Sequence, residues 1–147
     1  MKISEGGFLI TKIHHLSSRI FSKKLKEYEI EISPGQGRIL FALWQQDGVP
    51  IGELADRTQL GKSTLTDMLE RMESEKLIKR VPSAVDKRKI LIHLTENTKR
   101  LHRKYQQVSQ EMIDLFYHDF ASNEIEEFEA FLTRLLDNLV VFQKENG

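Results

Sequence analysis

The chain has 147 residues, 39% of them hydrophobic and 30% charged, which suits one domain carrying extra helices and excludes a large multidomain enzyme. With no cysteine, disulfides, thiolate metal sites and cysteine redox sensing are excluded as well. The net charge is zero, but residues 62–104 hold twelve Lys or Arg against six Asp or Glu and residues 105–147 hold two against nine, so a basic working surface joined to an acidic remainder is expected.

From Phe8 to about Tyr28, apolar residues recur at Leu9, Ile13, Leu16, Ile20, Phe21 and Leu25, the spacing of an amphipathic helix. Ser33-Pro34-Gly35-Gln36 then supplies an N-cap serine, a proline at the first helical position and a glutamine for a capping box. A second helix follows through Ile39, Leu40, Leu43 and Trp44, and Asp47-Gly48-Val49-Pro50 stops it. Two more helices are predicted, a short one over Gly52–Thr58 and a longer one from Lys62 to Lys76 that buries Leu65, Met68, Leu69 and Met72. The period next changes to two. Ile78 and Arg80 alternate with Lys79 and Val81, and after the charged loop 82–88, Ile90, Ile92 and Leu94 share one face of a second strand. Thr95 is placed to cap a long helix with Leu101, Tyr105, Val108, Met112 and Leu115 on one seam. Ser122 or Asn123 is placed to cap a last helix with a wide stripe from Ile125 to Phe142. No apolar run reaches the ~20 residues of a membrane span and no leader is apparent, so a cytoplasmic chain without a membrane partner is expected.

The fold class is therefore mainly α with a small β-hairpin wing. Residues 33–95 form a winged helix-turn-helix region, in which the second helix of the pair enters the major groove and the hairpin lies beside it. With Ile51 as the first position, the apolar or small places of the motif fall on Leu54, Ala55, Leu60, Leu65 and Met68. The turn position usually held by glycine is Gln59, and Gly61 is the expected source of flexibility.

At these residues the sequence resembles the MarR family of winged-helix transcriptional regulators. The carriers are Ser63-Thr64-Leu65-Thr66 and Leu69-Glu70-Arg71-Met72-Glu73, Lys76-Leu77-Ile78-Lys79-Arg80 entering the wing, and Asp86-Lys87-Arg88 leading to Leu94-Thr95-Glu96. Thr98 departs from the glycine common at that place. The resemblance implies a homodimer whose terminal helices, within residues 1–32 and 96–147, interlock and splay two winged domains over a palindromic site on double-stranded DNA. The last helix supports association independently, because its stripe exceeds what one layer of neighbours covers; the alternative is that the stripe packs on helix one within a monomer.

For DNA contact the candidates are Lys62, Ser63, Thr64, Thr66 and Asp67 in the first turns of the recognition helix, and Arg71 one turn on. Each has an ordinary alternative as a capping or solvated residue. In the wing, Arg88 suits a narrow minor groove and Asp86 can orient it, while Lys87 and Lys89 suit phosphates. Gly61-Lys62-Ser63-Thr64 lacks the earlier glycine and buried strand of a phosphate-binding loop, and the five histidines show no His-Glu-x-x-His pair, so neither enzyme nor metal site nor other cofactor is expected. His14 and His15 are candidates to line a cleft for a small aromatic or amphipathic effector, against the plainer reading of surface histidines. The functional expectation is a ligand-responsive repressor binding a pseudo-palindromic operator as a homodimer; the alternative is a winged-helix adaptor for an acidic protein partner.

Overall fold

The computed structural model of the protein describes residues 3–147. Its elements are α1 (Gly6–Glu27), α2 (Pro34–Gln45), β1 (Val49–Pro50), α3 (Ile51–Thr58), α4 (Lys62–Ser74), β2 (Ile78–Pro82), β3 (Ile90–Leu94), α5 (Glu96–Phe116) and α6 (Ser122–Asn146). The chain is mainly helical with one small antiparallel sheet, as the periodicity predicts. It divides into two compact units, one ending at Gln110 and the other running Glu111–Gly147.

In the first unit, the start of α2 is a complete capping box. Ser33 Oγ accepts the Gln36 N–H at 3.2 Å, and Gln36 Oε1 accepts the Ser33 N–H at 3.0 Å. From there α2 buries Ile39, Leu40 and Leu43 against Leu54 of α3, Leu65, Leu69 and Met72 of α4, and Ile78, Ile92 and Leu94 of the sheet. Burying an aliphatic side chain of this size stabilises by about 1.5–3 kcal/mol, so this shared core fixes α4 on α2 and α3. Tyr105 and Val108 of α5 join the same core.

The hairpin is larger than expected. A two-residue strand, β1, pairs with β3 through Val49↔Ile92 and Pro50↔Leu91, giving the strand order β1-β3-β2. The segment that stops α2 thus doubles as a strand, held by Asp47 Oδ1 accepting the Leu94 N–H at 2.9 Å. Between β2 and β3 the register sets Ile78 opposite Leu94 and Pro82 opposite Ile90. Burial follows the alternation at the root, where Ile78, Ile92 and Leu94 are inside, and fades towards the tip, where Ile90 is exposed.

Several local expectations need correction. Gly61 has an ordinary extended backbone, with φ −62° and ψ 147°; the left-handed residue of the turn is Gln59, at φ 56°. Its Nε2 donates to the Asp56 carbonyl at 2.8 Å, a local hold that offsets the cost of a non-glycine there. Helix α4 ends at Ser74, not Lys76, because Lys76 takes φ 63° and the N–H groups of Lys76 and Leu77 fold back on the Glu73 and Met72 carbonyls. Thr95 holds the cap position of α5, its carbonyl accepting the Lys99 N–H at 3.3 Å, but its hydroxyl donates to the Lys76 carbonyl at 2.7 Å instead of accepting from the helix, and the buried Thr98 hydroxyl accepts the Thr95 N–H at 3.1 Å. Thr98, which also donates to the Thr95 carbonyl at 2.8 Å, therefore organises the start of the long helix.

In the second unit neither Ser122 nor Asn123 is the cap. Ala121 holds that position, and Glu124 Oε1 accepts its N–H at 2.8 Å. Tyr117, Phe120 and Phe128 form an aromatic cluster, with centroids 5.6–6.4 Å apart, and the Tyr117 hydroxyl donates to Glu129 Oε2 at 2.6 Å. Helix α6 carries no buried residue at all, although Phe131, Leu135, Leu136, Leu139 and Phe142 lie along it.

Candidate nucleic-acid interface

Helix α4 is held by one face only. Leu65, Leu69 and Met72 are fully buried, Met68 is half-buried, and Lys62, Ser63, Thr64, Thr66, Asp67 and Arg71 are exposed. All six recognition-helix candidates are thus free to meet a ligand. Of the motif's apolar places, Leu54 and Leu65 are buried and Ala55, Leu60 and Met68 pack on the core, so the α3–turn–α4 pairing is a true helix-turn-helix despite Gln59. No side chain caps α4 at Gly61, leaving the first N–H groups of the helix available to an anionic oxygen. Thr64, Asp67 and Arg71 also line a cleft of about 330 Å³ facing Ser33 and Gln36 at the start of α2.

At the wing tip, Asp86 grips Arg88 three times. Its Oδ1 accepts the Arg88 backbone N–H at 3.1 Å and Nε at 3.2 Å, and its Oδ2 accepts Nη2 at 3.4 Å. The Arg88 hydrogen bonds hold the Asp86 carboxyl below its ordinary value of 3.8. The Arg88 side chain is still 91% exposed, so the grip aims the guanidinium outward without covering it. Lys87 and Lys89 flank it in the open. Residues 78–94 hold five basic residues against one acidic, and that one is paired with Arg88. A cationic, preoriented tip of this kind suits phosphates and a narrow groove.

Two organising residues were not singled out from sequence. Ser83 Oγ accepts the N–H groups of both Val85 and Asp86 at 3.2 Å, shaping the loop that presents Asp86, and Asp47 ties β3 to the end of α2. A serine three residues before an aspartate inside a loop is a turn signal that finds the first. Asp47 has no comparable signal, since its partner lies 47 residues away.

His14 and His15 lie exposed on α1, ring centroids 6.0 Å apart, beside an open recess of about 460 Å³ that Ser18 and Arg19 also line. Among the described residues no group of His, Asp and Glu is arranged to hold a metal ion. No described helix is long and apolar enough to cross a membrane.

Comparison with known proteins agrees with this geometry. The sequence model of the MarR family matches residues 32–90. The HTH-type transcriptional regulator YsmB of Bacillus subtilis (strain 168) is 30% identical over 125 residues, 84% of this chain and 85% of that protein. Among solved structures, the transcriptional regulator SlyA superposes with a TM-score of 0.84 at 20% identity, covering 92% of this chain and 94% of the other. The PcaV transcriptional regulator from Streptomyces coelicolor, solved in complex with its natural ligand, superposes with a TM-score of 0.79 at 22% identity, covering 93% and 97%. The exposed recognition helix, the basic wing and these relatives lead to one conclusion: the chain belongs to the MarR family and is a DNA-binding transcriptional regulator, not an enzyme.

Proposed function

We propose that the protein is a ligand-responsive repressor that binds a pseudo-palindromic operator as a homodimer. The observation that carries this is the pairing of an exposed recognition helix and a preoriented basic wing with terminal helices whose apolar stripes are uncovered. On α1, Phe8, Leu9, Ile13 and Leu16 are about half exposed or more, and on α6 Leu136, Leu139 and Phe142 are too. Stripes this long favour association, and a two-fold partner brings two reading heads to successive major grooves, one DNA turn apart. Lys62, Ser63, Thr64, Thr66, Asp67 and Arg71 then face the major groove, and Asp86, Lys87, Arg88 and Lys89 the phosphates and minor groove.

Regulation follows from population shift. A small aromatic or amphipathic effector that binds better to one separation of the heads biases the dimer away from the spacing the operator needs. His14 and His15 are the side chains proposed to meet it. That PcaV was solved in complex with its natural ligand supports ligand binding in a regulator of this fold.

Selection of duplexes from a random pool tests the proposal directly. The expected product is an inverted repeat with half-sites about one helical turn apart, and a dimer neutralising ~8 phosphates gives log affinity against log salt a slope near −7. Retention of every sequence alike, with no repeat recovered, overturns the operator reading and favours an adaptor.

A further inference from the structure

The recognition helix is not itself basic. Helix α4 carries Lys62 and Arg71 against Asp67, Glu70 and Glu73, whereas the hairpin 78–94 has five basic residues against one acidic. The positive charge of this region therefore lies in the wing and the start of α5, and the element that enters the groove is slightly anionic.

Most acids around it are engaged: Glu53 with Arg57 at 2.9 Å, Glu73 with Arg80 at 3.6 Å, Asp86 with Arg88 at 3.2 Å, and Glu75 with Gln36 at 3.4 Å. Among the described residues, the Asp67 and Glu70 side chains have no such partner, and both are exposed. Their direction is fixed by the helix. With Leu65, Leu69 and Met72 pointing inward, the 100° step places Ser63, Asp67, Glu70 and Ser74 on the opposite line, the part of α4 that projects furthest from its core.

A free carboxylate on that line meets only repulsion from phosphates. It gains energy solely by reaching a donor, and the donors on major-groove base edges are the cytosine N4 and adenine N6 amino groups. Adenine sets the N7 lone pair beside its amino group, which opposes a carboxylate; cytosine sets a C5–H there. Resting on the DNA-binding role proposed for the dimer, we infer that Asp67 and Glu70 are specificity-determining residues, each accepting a hydrogen bond from a cytosine N4 amino group, while the wing supplies attraction that does not depend on sequence. The two residues are ~4.5 Å apart along the helix axis, against ~3.4 Å per base step, so their cytosines lie one or two steps apart in each half-site.

The experiment is selection from a random duplex pool with the full-length protein and with Asp67→Asn and Glu70→Gln, followed by titration of the selected duplex with each conserved pair replaced in turn. Both side chains are exposed, and unchanged thermal unfolding of the variants checks that the fold is intact. The expected wild-type consensus has two G·C pairs per half-site under the recognition helix. Each variant loses discrimination at one of them by roughly fivefold to a hundredfold and shifts towards adenine, whose N6 and N7 suit an amide, and both bind random duplex more tightly. An unchanged consensus in both variants, or an equal loss of affinity for all sequences, overturns the inference and leaves operator binding standing. If the wild-type protein selects no sequence, the operator reading fails first and this inference with it.

Discussion

Gly37, in the first turn of α2, faces the ring of Tyr105 from α5. A Cβ built on Gly37 falls 2.7 Å from the Tyr105 hydroxyl oxygen, 3.1 Å from Cε2 and 3.3 Å from Cζ. The tyrosine cannot retreat freely, because it is only 5% exposed and is wedged between Phe21, at 5.7 Å and edge-on, and Trp44, at 4.8 Å. Gly37→Ala therefore overpacks the core, at a cost of about 1–3 kcal/mol. Alanine's better helix propensity returns about 0.5–1 kcal/mol. The balance is a net loss of about 1 kcal/mol. Tyr105→Phe removes the atom at 2.7 Å and leaves the milder contacts, so in the double variant the two changes should couple favourably by about 1 kcal/mol. Urea unfolding of the four proteins at one fixed concentration measures both quantities, since the stability of an associating chain depends on its concentration. A Gly37→Ala protein at least as stable as its parent, with additive behaviour in the double variant, would refute the reasoning.

Arg88→Ala should weaken operator binding by about tenfold to a hundredfold and make the salt slope of a dimer shallower by about two, with unfolding unchanged because the side chain is 91% exposed; an unaltered slope would show that Arg88 meets no DNA. Leu136→Asp, which places a charge in the half-exposed stripe of α6, should shift the protein to a monomer by analytical ultracentrifugation and abolish operator retention while leaving the helical circular dichroism intact. A persistent dimer would place the interface elsewhere. The Tyr117 hydroxyl is pushed up to about 12, chiefly by its hydrogen bond to Glu129, so this contact stabilises fully below pH 10 and is lost as pH rises through about 12. Glu129→Gln should bring one tyrosine back towards its ordinary value in an ultraviolet titration, leaving Tyr105, raised to about 12 by burial, where it was.

What the sequence reveals is set by the range of each interaction. Helices α1 and α2, the paired helices of the motif and the strands of the hairpin all show as periodicity, because a 3.6- or two-residue repeat is local. The Ser33 capping box and the Asp86–Arg88 clamp are legible for the same reason, being closed within three residues. Contacts between distant segments are not. β1 exists only because Val49 meets Ile92, and the Thr95 hydroxyl turns away from the helix it starts only because the Lys76 carbonyl arrives beside it. Gln59 misled through an average rule: glycine is the usual left-handed residue of such a turn, but a side-chain amide bonded to the Asp56 carbonyl holds the same backbone shape. Charge was legible as a segment total and obscure as a pattern. The sum over 62–104 is strongly positive, yet the cations lie almost entirely beyond α4, and only the burial of Leu65, Leu69 and Met72 shows which side chains of that helix project outward.

The order β1-β3-β2 leaves two open flanks on the little sheet, and each flanking strand ends in a proline, Pro50 on one side and Pro82 on the other. A proline has no N–H to offer a newcomer, so neither border can be extended into a longer ribbon at that point. Lys79 and Arg80 charge the longer border as well. Two wings brought side by side therefore meet a break in backbone pairing at each proline instead of a continuous ladder.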